Sequence, residues 1–298
     1  MNTKVRFPTS PTALFGNENS AIWLAAIVGL SLSFAALLLI QNQLEAHKLL
    51  DFDWVSHNRI RALSHGLDNS MLAVTTMRDH VVAHGHVDDE DFRVFAESLL
   101  ARYQGLKSLM WVPQPGGTGW TESYPVSHIA PETDRGIQLG FDLASNPRFI
   151  ETLSRASEQG QIAASGRIAY ALPGDGTAYG FLVASPVIDK AQPVRGGSPS
   201  GTDLDGLIVG FFSIDDLANH AISLLEPRGV EILILDESAP ADERFLHFYA
   251  SRLSPRDVGP DNFEKWLNDP GEPKFSETIQ AADRQLTMVC GRTNLFRS

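Results

Sequence analysis

The chain has a single cysteine, Cys290, so no internal disulfide can brace it. An oxidising compartment is thereby tolerated but not exploited, which suits a bacterial periplasm better than a disulfide-dense ectodomain. A basic excess is also missing: 24 Lys and Arg face 36 Asp and Glu, with no basic cluster. That balance repels nucleic acid and anionic headgroups alike, so no nucleic-acid partner is expected. No repeat at solenoid spacing and no low-complexity tract appears. Catalytic signatures are lacking as well. There is no G-x-S-x-G elbow, and the glycine loop Gly116–Gly119 has no P-loop lysine. The segment GDGTAYG lacks the helix of a dinucleotide fingerprint, and Cys290 has no patterned histidine partner. No cofactor is expected, and the chain is not expected to be an enzyme in itself.

One further absence is positive information: Asn19 to Leu44 carries no charge. Its centre, Ala21 to Ile40, is long enough as a helix to cross a hydrocarbon core of roughly 30 Å. A cleaved signal would have a shorter apolar core and a small-residue site, and the exit through Ile40-Gln41-Asn42-Gln43-Leu44 has none. Lys4 and Arg6 precede the stretch, while Glu45, Asp51 and Asp53 follow it. The positive-inside rule then places the N-terminus in the cytoplasm and the rest across a bacterial inner membrane, in the periplasm.

Beyond the anchor, no proline occurs from Leu44 to His84, and Ile60, Leu63, Leu67, Met71, Val74 and Val81 recur at helical steps. This predicts a long stalk helix whose stripe packs either on a twin subunit, giving a homodimer, or on the chain's own lobes. A second helix is predicted from Asp88 to Tyr103, with Phe92, Phe95, Leu99 and Leu100 buried and acidic residues at its positive end. A third runs over about Asn146–Glu158, capped by Ser145 or Asn146 with Pro147 in its first turn, and stops at Gly160. Strands are read at LKSLMWVP, WTESYPV, IAASGRIAYAL, YGFLVASPVID, GLIVGFFSI, GVEILILDES, HFYASRL and Gln285–Cys290, with a turn at Pro173–Gly176 and a loop over Gln192–Asp205. Helices are expected at DDLANHAISLL and near Asp261–Leu267. Short turns between strands and few helices argue an α+β fold with mainly antiparallel sheets.

Two phrases carry a family resemblance. FRVFAESLLARYQGLKSLMWVP is similar to the helix-then-strand opening of the CHASE domain, the extracellular sensory module of cytokinin receptors and bacterial receptors. GFDLASNPRFIETLSRASEQGQIAASGRI resembles that family's central signature, with Gly140, Asp142, Ser145, Arg148, Arg155, Ala156 and Gly160 in register. YGFLVASPVID and LDGLIVGFFSIDDLANHAI resemble the elements that follow, so the likeness spans roughly residues 55–225. The resemblance implies tandem PAS-like lobes after a long helix, a distal lobe that holds a small-molecule ligand, and a dimer through the helices. In the plant receptors of this family an Asp at the signature position binds the adenine ring of the hormone; here that is Asp142. Backbone groups on the next strand also contact the hormone, which falls at Ala164, where the family usually has leucine. The ligand itself does not carry over.

On this reading the segments are a cytoplasmic N-terminus (1–20), a transmembrane helix (21–41), a stalk (44–84), a membrane-distal ligand lobe (85–200) and a membrane-proximal lobe (201–298). The second lobe is expected to relay motion rather than bind. Asp142 is either a hydrogen-bond acceptor on a pocket floor or the cap of a turn. Trp111, Tyr124 and Tyr170 are candidates for the pocket wall, although for any one of them an ordinary core role in a half-buried strand is the better reading. Arg148 and Arg155 are expected to be solvated or paired with Glu151 or Glu158. Receptors of the family continue into a second membrane helix and a cytoplasmic output domain. The expectation is therefore an input half, truncated or acting through a partner. Two competing readings are an exported metal enzyme using His80, His84 and His86 with Asp88 and Asp89, and a structural partner domain with no ligand.

Overall fold

A computed structural model describes residues 17–85, 87–114, 123–134, 137–171, 177–188, 204–223 and 225–296. The Gly116–Gly119 loop, the Pro173–Gly176 turn, His86 and nearly all of the Gln192–Asp205 loop lie outside the described residues. Helix α1 spans Asn17–His84. Contacts divide the chain into two units, Met1–Phe52 and Asp53–Ser298. In the first unit, Trp23–Gln41 has a mean hydropathy of 2.4 and is wholly unburied, with length and composition sufficient to cross a membrane.

The second unit is α+β, as the short-turn pattern predicts. Helix α2 (Asp89–Arg102) starts where the Asp88 carboxylate accepts the Glu90 and Asp91 N–H groups, and it buries Phe92, Ala96 and Leu99. The strands β1 (Leu106–Pro113), β2 (His128–Ala130), β3 (Thr133–Asp134) and β4 (Ile137–Gln138) follow. Then come α3 (Pro147–Gln159), β5 (Ala163–Ala164), β6 (Ile168–Ala171), β7 (Thr177–Ile188), β8 (Leu204–Ser213) and α4 (Ile214–Ser223). One antiparallel sheet has the order β2-β1-β8-β7-β5, with β6 also on β7, while β3 and β4 form a separate hairpin. A second antiparallel sheet has the order β10-β9-β12-β11, from β9 (Val230–Asp236), β10 (Phe245–Tyr249), β11 (Lys274–Ala281) and β12 (Arg284–Arg292), with the short helix α5 at Phe263–Leu267.

Helix α3 shows how local sequence fixes an element. The Asn146 side chain accepts the Arg148 N–H, and Pro147 occupies the first turn. Gly160 ends the helix in the left-handed region at φ 63°, where a side chain would be strained. Between these caps Phe149, Thr152, Leu153, Ala156 and Ser157 form a buried stripe.

Three expectations are corrected. Strand β8 was expected to open the second lobe at residue 201, but it is the central strand of the first sheet, between β1 and β7. The run Leu207–Phe212 is buried on both faces, so its pattern reads alike in any sheet interior. The WTESYPV strand is reduced, over its described part, to one bridge between Pro125 and Asp142. Third, the α1 stripe does not face a twin: Ile60, Leu63, Leu67, Val74 and Val81 are all buried within the one chain. Gly210 on β8 lets α1 sit this close, since a Cβ there would lie 2.7 Å from a Val74 methyl. Strands β2, β3, β4 and β11 escaped the sequence reading. The first three are too short to show a period, and β11 alternates exposed and half-buried residues on a sheet edge.

Candidate functional site

The first sheet has two distinct faces. Met110, Val112, Leu182, Ala184, Leu207, Val209 and Phe211 point to one side, where α3 and the segment around Tyr124 to Leu143 complete an apolar core. Tyr124, Phe141, Ala144, Ile168 and Tyr170 belong to this side. Trp111, between Met110 and Val112, points the other way, as the two-residue period of a strand requires. It borders a recess with Val81, Val82, Val87, Val187 and Ile188. The structure therefore separates Trp111 from the other aromatic candidates.

Tyr124 is buried and its hydroxyl meets Ser154 Oγ at 3.1 Å. Burial pushes its phenol pKa up, and the Ser154 contact offsets part of this. The Tyr170 hydroxyl donates to Ser213 Oγ at 2.7 Å, and its ring stands edge-on to Phe211. Asp142 sits beside Tyr124, on the chain's return past it. Its Oδ1 accepts the Tyr124 N–H at 2.7 Å and the Ala144 N–H at 2.9 Å, and its Oδ2 accepts the Ser123 hydroxyl at 2.8 Å. Burial works to raise this carboxyl, but the three donors outweigh it and hold its pKa below the usual range. The capping role is thus built: Asp142 caps the single 3-10 turn Leu143–Ser145.

Ala164 stands elsewhere, on β5, and both its backbone groups have partners. Its N–H donates to Asp283 Oδ1 at 2.7 Å, and its carbonyl accepts from Arg155 Nη2 at 2.7 Å. Arg155 also donates to Asp283 Oδ2 at 2.9 Å and to Glu151 at 2.8 Å. Asp283 is in the turn between β11 and β12, so a carboxylate of the second sheet occupies the backbone position that the resemblance assigns to a ligand. Two neighbours extend this seam. Arg148 pairs with Glu243 and donates to the Arg167 carbonyl at 2.9 Å. Arg167 donates to the Phe245 and Asp242 carbonyls, each at 3.0 Å, and lies over the Tyr179 ring. The expected Glu151 partner of Arg155 is present. The Asp283 and Glu243 partners were beyond reach, because they lie more than ninety positions away in the sequence.

Of the histidine cluster, the His80 and His84 rings lie 4.2 Å apart between centroids, and His86 lies outside the described residues. The His80 ring stacks on Phe95 at 4.1 Å between centroids, and a His84 ring nitrogen lies 2.8 Å from the His80 carbonyl. Burial and the neighbouring His84 lower the His80 pKa. Among the described residues no group of three or more His, Cys, Asp or Glu could hold a metal ion.

A helix leading into two antiparallel α+β lobes is the architecture of PAS-like sensory domains. The CHASE domain family model matches residues 114–247, so the resemblance read from the sequence stands. The match begins after the Phe92–Pro113 phrase and runs past α4 into β10. A search of curated proteins finds no sequence match. Among solved structures, an extracellular ligand binding receptor from Desulfohalobium retbaense is similar at a TM-score of 0.52 and 14% identity, over 82% of this chain. This chain spans 40% of that one. The periplasmic sensory domain of the Campylobacter jejuni chemoreceptor Tlp1 aligns at 0.49 and 10% identity, covering 82% and 94% of the two chains. The ligand binding domain of the Pseudomonas aeruginosa amino acid chemoreceptor PctC, solved with GABA, aligns at 0.47 and 11% identity, covering 82% and 100%. At such identities the likeness concerns fold alone.

Proposed function

We propose that the chain is a membrane-anchored sensor whose first lobe binds a small molecule and whose second lobe relays the occupied state towards the membrane. The observation that carries this reading is the CHASE match laid over a lobe whose apolar core holds the hydroxyls of Tyr124 and Tyr170 near the signature. Residues Tyr124, Tyr170 and Asp142 line the ligand side, on the same face of the first sheet as the signature helix α3. Hydroxyls in an apolar surround accept or donate at modest desolvation cost, which suits reversible recognition. Trp23–Gln41 anchors the chain, with the N-terminus in the cytoplasm and the lobes in the periplasm. The seam of Arg148, Arg155 and Arg167 with Glu243, Asp283 and the 242–245 backbone is the mechanical link between the lobes. The outward face of α1, with Leu72 and Val82 exposed, is the surface left for a twin subunit.

The full-length protein in nanodiscs, purified from its expression host and denatured, should release a small molecule identifiable by mass spectrometry in near-stoichiometric amount. Added back, that molecule should raise the melting temperature of the wild type, and Tyr124→Phe with Tyr170→Phe should lower its affinity at least fivefold. No released compound, together with no stabilisation by any member of a metabolite panel, would leave a ligand-free structural domain as the better reading.

A further inference from the structure

The second unit holds a cavity that the sensory reading does not use. It measures about 310 Å³ and is lined by Trp54, Val55, Asn58 and Arg59 of α1 with Leu225, Glu226 and Arg228 from the segment joining α4 to β9. Trp54 and Asn58, and Val55 and Arg59, are four apart and share a side of the helix. Arg59 is only 3% exposed, yet it has no ion-pair partner among the described residues. Its Nη2 donates to the Glu226 carbonyl at 2.6 Å, and its buried Nε has no acceptor. A guanidinium offers five donors, so this one is under-satisfied. Burial lowers its pKa; Cys290 and Tyr249 work against this, and Arg252 and Arg228 with it. The one carboxylate at the cavity, Glu226, is on the exposed rim, 3.4 Å from Arg228. Trp54 is 64% exposed and offers a flat apolar wall beside these cations.

We propose that this cavity is a second ligand site for a small organic anion, with a carboxylate or phosphate on Arg59 and Arg228 and a flat apolar body against Trp54 and Leu225. A planar guanidinium pairs with either oxyanion through two parallel hydrogen bonds. The anion would add an acceptor for the Arg59 amino groups that line the cavity, while the sealed Nε stays unpaired. The cavity lies between α1 and the start of the second sheet, so its occupant would brace the stalk segment against that sheet. This reading stands independently of the ligand site in the first lobe.

The test uses the full chain in nanodiscs and isothermal titration with benzoate, phenyl phosphate and the neutral isostere benzamide. At least one of the two anions should bind once per chain, with benzamide at least tenfold weaker. Preference for benzoate assigns a carboxylate ligand, and preference for phenyl phosphate a phosphate ligand. Arg228→Gln and Trp54→Ala, both at partly exposed positions, should each weaken binding at least fivefold. Arg93→Gln on α2, which removes the same charge elsewhere, should change nothing. Arg59→Gln should lose binding if it folds, and Arg228→Gln carries the test if it does not. The proposal is overturned if neither anion binds, if benzamide equals them, or if Arg228→Gln binds as the wild type does.

Discussion

The two lobes treat buried polarity in opposite ways. On the α3 side of the first sheet the hydroxyls of Tyr124, Ser154, Tyr170 and Ser213 are paired with one another, and the half-buried Asp142 carboxylate caps a turn. Around the second sheet ions are buried. Glu231 is fully buried, accepts the Trp266 indole N–H at 2.9 Å and lies 3.5 Å from Arg256. Asp236 is buried against Arg284 at 2.7 Å. Arg59 is buried with no counter-ion among the described residues. Hydroxyl contacts can be exchanged for a ligand's at small net cost, whereas removing one member of a buried ionic set leaves an uncompensated group. Between the lobes Asp283, in the turn joining β11 to β12, pairs with Arg155 of α3.

The sharpest way to break this contrast is Glu231→Ala. It should destabilise the protein by about 3 kcal/mol, because the Trp266 N–H and a cavity are both left behind. Thermal melting of the full chain would show it, and Glu231→Gln, which keeps an acceptor, should recover most of the loss. Next is Asp142→Ala, which strips three donors of their acceptor and should cost about 2 kcal/mol. A loss below about 0.5 kcal/mol would mean that its capping bonds are not formed in solution.

The same two carboxylates differ in the sign of their pH dependence. Burial raises the Glu231 pKa above 4.5, so the folded state holds that proton longer than the unfolded state does. Its contribution to stability therefore falls as pH rises from the unfolded value through the folded one. The Asp142 pKa is held below 3.8, so its stabilisation is present above that value and is lost as pH falls through the lower folded one. Melting temperature against pH should flatten above pH 4.5 in Glu231→Gln and below pH 3.8 in Asp142→Asn. The same slope in both variants as in the wild type would remove the contrast.

Asp283→Asn should have a smaller effect, about 1 kcal/mol, since Asn can still accept the Ala164 N–H while the pairing with Arg155 weakens. Hydrogen exchange at the Ala164 amide should accelerate in Asp283→Ala and stay slow in Asp283→Asn. Unchanged protection in Asp283→Ala would show that the lobes are not joined there. The smallest change is Tyr170→Phe, which should cost about 1 kcal/mol or less by releasing Ser213. A cost above about 2 kcal/mol would place Tyr170 among the fixed core groups.

Much of the local order is legible without a structure. The caps Asp88 and Asn146, Pro147 and the Gly160 stop are short-range signals, and they mark α2 and α3 to within a residue or two. The β1 strand falls where LKSLMWVP predicts it. The candidate site was legible only in part. Tyr124 and Tyr170 belong to one apolar cluster and Asp142 binds the Tyr124 N–H, but Trp111 is one residue out of phase with Met110 and Val112 and turns away. The resemblance points to the Ala164 backbone for a ligand's contact, and in the structure its N–H donates to Asp283.

The sequence alone determined the charge-free anchor segment, the class of fold, the family signature and the helix termini, because each depends on neighbours within one or two turns of chain. Tertiary structure alone decided where the stripe on α1 goes, which sheet owns β8, and what Arg148, Arg155 and Ala164 touch. Those outcomes depend on groups brought together from distant parts of the chain. Periodicity reveals that a face is buried but carries no record of what covers it. An arginine's likeliest local partner is likewise visible at four residues' distance, while the carboxylate that docks on it from another lobe leaves no mark on its own stretch of sequence.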